Sequence, residues 1–274
     1  MPLQSALGYM DLSKSSYFYE RHARQQRRQE YPLDAELEKL LLNLQGYELT
    51  LGYDKLTDYL RQKHEKIWNK KKVYRHMKVL QLLQRRRIKR RWKKNKRLPW
   101  SCAIKSNVRW EADLVFVYTA MGNVYLFVIE DTYDREVLSG HMDIQCGAQQ
   151  AIECLKEALK KRFVYEEVKD LTVTLRIDRG CQFTAEAFAE FAESQGIGLE
   201  FCGIRTPNDK PYIESFISCY KCEEVYRNHY EDFFQAYDGW KNYIEWYNNL
   251  RPHGALNNMS PVAFRQSKVS TILA

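Results

Sequence analysis

Apolar residues along this chain change their spacing near residue 100, and that change divides the sequence in two. Before it they recur every three or four positions. Leu37, Leu40, Leu41 and Leu44 take the i, i+3, i+4, i+7 spacing of one buried helical stripe, with Gly46 placed to end it. Leu56, Tyr59 and Leu60 begin a second stripe. Asn69 is positioned to cap a third helix, in which Val73, Met77 and Leu80 face inward. Upstream, residues 11–30 read as a further helix, broken by Tyr31-Pro32. Short helices with a basic last member predict a helix-turn-helix-like unit, and three-helix packing without DNA contact has the same pattern.

After Trp100 the period becomes two. Val108, Trp110, Ala112, Leu114, Phe116 and Tyr118 alternate along one face of a strand, and Asp113 lies on the other, between Glu111 and Val115. Gly122-Asn123 marks a hairpin, and 124–129 and 136–142 supply two more strands. A helix over 148–163 follows, then a strand over 171–177 that ends at Asp178-Arg179-Gly180. Thr184 is placed to cap a helix bearing Phe188, Phe191 and Ala192; a short strand over 197–201 and helices from Pro211 and Asp232 complete the chain. Hairpin strands followed by strands alternating with helices predict a mixed α/β sheet. The expected organisation is an N-terminal helical segment over 1–30, a helix-turn-helix-like region over 31–84, a basic linker over 85–100 and a catalytic core with C-terminal helices over 101–274.

Composition narrows the class. Of 274 residues, 45% are hydrophobic and 28% charged, a globular balance. The longest apolar stretch, Leu114 to Ile129, is interrupted by Thr119, Gly122 and Asn123 and is too short for a bilayer, so no membrane partner is expected. No basic segment followed by an apolar core opens the chain, and its seven cysteines are unevenly spaced, which fits a reduced, cytoplasmic setting.

Charge changes the picture more. The net +8 conceals +15 over residues 1–100 and −7 over the remainder. Arg61–Arg97 alone carries 18 basic residues and one acid. A solvated helix face mixes signs. This run does not, and phosphate backbone is the polyanion that would offset its self-repulsion; the bland alternative is a flexible basic linker. The candidate DNA contacts are Lys70, Lys71, Lys72, Arg75 and Lys78 at the third helix, then Arg85, Arg86, Arg87, Arg90 and Arg91.

Three acids stand out by position: Asp113 in mid-strand, Asp178 at a strand end before a glycine turn, and Glu214 in the first turn of a helix. Singly, each has an ordinary explanation as a solvent-facing strand residue, a turn residue or a dipole-favoured helix acid. Together, three carboxylates from separate elements at one sheet end would suit Mg2+, which takes a few carboxylate oxygens and keeps sites for water and phosphate. Two such ions, about 3.5–4 Å apart, activate an attacking oxygen and stabilise the leaving one at a phosphodiester.

The segments Asn107–Asp113, Asp178–Phe183 and Tyr212–Phe216, with 35 residues between Asp178 and Glu214, resemble the DDE transposases of bacterial insertion sequences. The likeness is to the OrfB-like type, with a retroviral-integrase-like core. Tyr247–His253, with Ser260-Pro261 and Phe264, resembles that family's closing motif, and Gly52-Tyr53 with Lys71–Met77 resembles its helix-turn-helix. Two flanking positions depart from the pattern: Val115 stands where Thr is usual, and Arg176-Ile177 where His-Ser is usual. The resemblance implies an RNase H-like fold. It also implies two Mg2+ ions, replaceable by Mn2+, on Asp113, Asp178 and Glu214. The implied activity is metal-dependent strand cleavage and strand transfer by a homo-oligomer on double-stranded DNA, at element ends and target. A catalytically silent DNA-binding regulator of transposition and a phage or retroelement integrase are the alternatives.

Other candidates are weaker. Cys219 and Cys222 lack the second pair a structural zinc needs. Asp131 and Asp134 read as turn residues, with an auxiliary metal role as the alternative, and Asp209 as the cap of the Pro211 helix. Arg251 and His253 either contact DNA or the active site, or end a helix. Trp240, Tyr243, Ile244 and Tyr247 read as core, and Trp68, Trp92 and Trp100 either pack against DNA or between domains.

Overall fold

The computed structural model describes residues 5, 7, 8, 10, 33–84, 103–163, 173–203 and 209–272. The expected helix over 11–30, the basic run from Arg85, and Trp92 and Trp100 lie outside the described residues.

Helix α1 (Ala35–Leu42) starts at Asp34, whose carboxylate accepts from the Glu36 and Leu37 amides. It stops at Asn43, and Gly46 instead opens a 3-10 turn (Gly46–Thr50) in the left-handed region at φ 53°. Helix α2 (Tyr53–His64) and helix α3 (Lys70–Val79) complete the helical unit, and the Asn69 side chain caps α3 as expected. Leu37, Leu41, Leu56, Leu60, Val73 and Met77 are all buried where these stripes meet.

The second half builds one five-stranded sheet in the order β3-β2-β1-β4-β5. Strands β1 (Arg109–Thr119), β2 (Gly122–Asp131) and β3 (Val137–Asp143) form an antiparallel meander. Helix α4 (Ala148–Arg162) crosses over to β4 (Thr174–Ile177), which runs parallel to β1. Helices α5 (Cys181–Thr184) and α6 (Glu186–Ser194) lead to the parallel edge strand β5 (Gly198–Phe201). Thr184 ends α5 rather than capping α6, whose first turn is entered through Ala185. Helices α7 (Pro211–Glu223), α8 (Phe233–Asn249, capped by Asp232) and α9 (Pro261–Ile272) close the fold. Among the described residues no helix is long and apolar enough to cross a membrane.

Both faces of β1 are covered, which a single alternating face does not predict. Trp110 and Ala112 pack with Leu155, Ala158 and Leu159 of α4. On the opposite face Val115 and Val117 join Ile213, Phe216, Tyr220, Trp240 and Tyr243 of α7 and α8. Phe116 and Tyr118, beyond the cover of α4, are exposed. Close approach of α8 has a local cause at Gly140 on β3, where any Cβ would overlap the Trp240 indole. Glu111 and Asp113 point to the α7 face, because side chains alternate strictly along a strand.

The helical unit shares the hydrophobic cluster of the α7–α8 face. Tyr47 meets Tyr243 edge-on at 5.5 Å and stacks on Trp246 at 6.0 Å, and Tyr59 meets Trp246 at 5.6 Å. Asn258 donates to Asp58 at 2.7 Å. A charge boundary near Trp100 predicts few contacts between the halves. The two pack together, because their apolar faces join in one buried cluster.

Candidate active site

Asp113 sits midway along β1, and Asp178 follows the last residue of β4, its Oδ1 accepting from the Gly180 amide at 2.8 Å. The two strands are neighbours and parallel, so both acids arrive at one region of the sheet. Glu214, in the first turn of α7, lines with Asp113 an open cleft of about 390 Å3 that also includes Lys221 and Tyr226.

A buried lysine joins the aspartates. Lys210 Nζ lies 3.2 Å from Asp113 Oδ1 and 3.6 Å from Asp178 Oδ2, and donates to the Ala112 carbonyl at 2.9 Å. Burial pushes the Asp113 carboxyl above its ordinary range, against the pull of Lys210. Burial, then the neighbouring charge of Asp113, pushes Glu214 up to about 7. Among the described residues no three His, Cys, Asp or Glu side chains are gathered round one point. The ammonium of Lys210 holds the place between the two aspartates instead. Asp113 and Asp178 thus share one cation of the chain itself, and the charge of Asp113 is felt at Glu214.

Three contacts fix the segment that leads into Glu214. Glu111, 1% exposed, accepts through Oε2 from the amides of Tyr212 at 3.1 Å and Ile213 at 2.9 Å. Arg176 on β4 donates to the Asp209 carbonyl at 2.8 Å while pairing with Glu200. Lys210 supplies the third. Asp209 does not cap α7; its carboxylate accepts from Gly203, and the cap comes from Glu111 on β1. Neither Glu111 nor Lys210 was singled out from sequence. The signal for Glu111 was its place two residues before Asp113 on the same strand face.

The remaining candidates fall into place around this core. Asp131 accepts from the Asn107 amide and Trp110 Nε1, and Asp134 pairs with Arg162 at 2.9 Å, so both are buried structural acids. Arg251 is buried and paired with Glu223 of α7 at 2.7 Å; it also donates to Cys219 Sγ, and His253 is packed against the Tyr247 ring. Cys222 is a free thiol. Trp68 is buried inside the helical unit. Lys71, Arg75 and Lys78 are exposed on α3; Lys70 pairs with Asp54 and Asp58, and Lys72 with Asp34.

A five-stranded mixed sheet with one carboxylate on its central strand, one just past the end of the parallel strand beside it and one on a following helix defines an RNase H-like protein of the integrase class. Residues 103–207 and 195–261 each match an integrase core domain, and residues 34–91 match an HTH-like domain. The chain is 26% identical over 85% of its length to an insertion element IS476 protein of Xanthomonas euvesicatoria, over 65% of that protein. It is 26% identical to the transposase of insertion sequence IS904 from Lactococcus lactis, over 58% of this chain and 62% of that one. It is likewise 26% identical to transposase InsF of insertion sequence IS3A from Escherichia coli, over 60% and 56%. In each case the matched part is less than two thirds of the relative's own length. The fold is shared with a chain of the simian T-cell lymphotropic virus intasome, at TM-score 0.50 and 14% identity, covering 79% of this chain and 71% of that chain. The chain thus carries an integrase core domain and an HTH-like domain, and it is similar to transposases of bacterial insertion sequences.

Proposed function

We propose that this protein cuts and rejoins DNA at the ends of a mobile element, with Asp113, Asp178 and Glu214 as the ligands of divalent cations, two Mg2+ or Mn2+ ions. The observation that carries the reading is the buried Lys210 ammonium between Asp113 and Asp178, beside a Glu214 whose proton affinity is raised by burial and then by the charge of Asp113. Cations bound there would supply activation of the attacking oxygen and stabilisation of the leaving one. The chain's own residues do the rest. The cleft shared by Asp113 and Glu214 admits a sugar-phosphate strand, and Lys221 on its wall meets a phosphate. The exposed stripe of Lys71, Arg75 and Lys78 on α3 faces duplex DNA, at the i, i+4, i+7 spacing of one helix side. Lys70 and Lys72 flank it and pair with Asp54 and Asp34 of the same unit. Arg85, Arg86, Arg87, Arg90 and Arg91, which follow α3 in the sequence, would add phosphate contacts.

The test is metal-dependent cleavage and joining on DNA carrying the element's own ends, beside a binding assay. Asp113→Asn, Asp178→Asn and Glu214→Gln should each abolish both steps, lowering the rate by about a thousandfold or more, while DNA affinity stays near wild type. Cleavage retained in any one variant removes that residue from the site. A wild-type protein that binds those ends in Mg2+ or Mn2+ and never cuts points to the DNA-binding regulator.

A further inference from the structure

Helix α7 begins without a cap of its own. The residue before it, Lys210, makes no side-chain cap bond, and Pro211 has no N–H to satisfy. The next two amides, Tyr212 and Ile213, would be orphaned in the protein interior. Both go to one oxygen of Glu111, a residue of β1 that is 101 and 102 positions away in sequence. The fourth amide, that of Glu214, closes on the Lys210 carbonyl at 3.1 Å. Every N–H of the first turn is thereby accounted for.

Placement gives this cap a second consequence. Glu111 and Asp113 lie on the same face of β1, about 7 Å apart along the strand. Ile213 and Glu214 are adjacent on α7. One buried carboxylate therefore bolts the strand that carries one proposed ligand to the helix turn that carries another. Its charge is balanced from within the site: Arg176 is its register partner on β4, and Arg135 also lies near it. Glu111 does not line the cleft, and the oxygen shown bonding is taken up by the two amides.

We propose that Glu111 is a positioning residue for Glu214, setting the register of α7 against β1 and hence the separation of Glu214 from Asp113. The inference rests on the metal-site reading above, so the test reads the helix and the metal separately. The full-length chain would be compared as wild type, Glu111→Gln, Glu111→Asp and Glu111→Ala. Gln still presents an oxygen at the length of Glu; Asp keeps the charge but falls short of the amides; Ala removes the acceptor.

Hydrogen exchange should rise in the first turn of α7 for Glu111→Asp and Glu111→Ala and stay near wild type for Glu111→Gln, with β2 and β3 unchanged in all. Affinity for Mn2+ alone, by calorimetric titration, should fall about tenfold in the first two, the loss typical of an outer partner that orients a metal ligand. Glu111→Gln should bind Mn2+ nearly as well as wild type, and duplex DNA binding should not move. If Glu111→Ala does not fold, Glu111→Asp carries the same comparison. Unchanged exchange in Glu111→Asp overturns the hold on α7. Raised exchange with unchanged Mn2+ affinity overturns the link to Glu214, as does a Gln variant as damaged as Asp. Wild-type protein that takes up no Mn2+ overturns the metal reading and the link to metal affinity with it, while the exchange data still judge the cap.

Discussion

A buried charge is costly unless a partner meets it, and two groups of residues in this protein show how that is done. At the acid cluster the partner is Lys210, a cation carried by the chain itself. In the C-terminal motif it is the Arg251–Glu223 pair, where Nη2 reaches Oε1 at 2.7 Å and Nε reaches Oε2 at 2.9 Å. The sequence left Arg251 between DNA contact and helix ending. Its burial and its bidentate pairing favour a structural role, tying the loop after α8 to the far end of α7. Removing one member of such a pair strands the other in low dielectric, which costs about 3–5 kcal/mol. Arg251→Ala should therefore lower stability by that amount in chemical denaturation. Lost DNA binding at unchanged stability would instead place Arg251 at the DNA.

At the scale of elements, caps decide how helices meet. Asp34 caps α1 and also pairs with Lys72 of α3, while the Asp34 amide donates to His76 Nε2 at 2.8 Å. Lys72 first, then the capped amide of Leu37, draws the Asp34 carboxyl down to about 2 from an ordinary value of 3.8. A depressed carboxylate stabilises the fold above its unfolded pKa, and that contribution is lost as pH falls through the folded one. Between about pH 4 and pH 2 the contact of α1 with α3 should therefore weaken. Asn also caps helices, so Asp34→Asn should keep α1 while removing this pH dependence. Circular dichroism melts of both proteins across that window give the check, and an equal acid sensitivity would show that Asp34 is not its source. Helix α7 follows the same logic with a cap imported from β1.

Over the whole molecule, the helical unit is docked and not merely tethered. Its inner face continues the apolar cluster of α7 and α8, and Tyr47 and Tyr59 close on Trp246. Its outer face is left to α3 and its exposed basic residues. Binding of duplex DNA should therefore be strongly salt-dependent, because each phosphate contact releases counterions and contributes about 0.9 to the slope of log K against log salt. Replacing Arg85, Arg86, Arg87, Arg90 and Arg91 together by Ala should flatten that slope by up to about 4.5, at 0.9 per contact. Fluorescence anisotropy over a salt series measures it, and an unchanged slope would separate the basic run from the phosphate backbone.

Periodicity was enough to read most elements of the described halves, because burial of an apolar stripe is a local property of the chain. The three acids each have an ordinary explanation taken singly, and it is their combination on three separate elements, at the spacing of a known family, that sets them apart in the sequence. Helix ends were read less well. Gly46, Thr184 and Asp209 all had the chemistry of a stop or a cap, and none serves in that role, since Asn43, Ala185 and Glu111 occupy those places. The docking of the helical unit, the pairing of Arg251 with Glu223, and the approach of Lys210 and Glu111 to the site were decided by tertiary structure alone. Each joins residues far apart in sequence, through a hydrogen bond or ion pair whose partner no local pattern names. The chain by itself determines which residues must be buried and which acids stand out; only packing determines who meets them, because the cost of burying a polar group is settled by whichever neighbour the fold brings within reach.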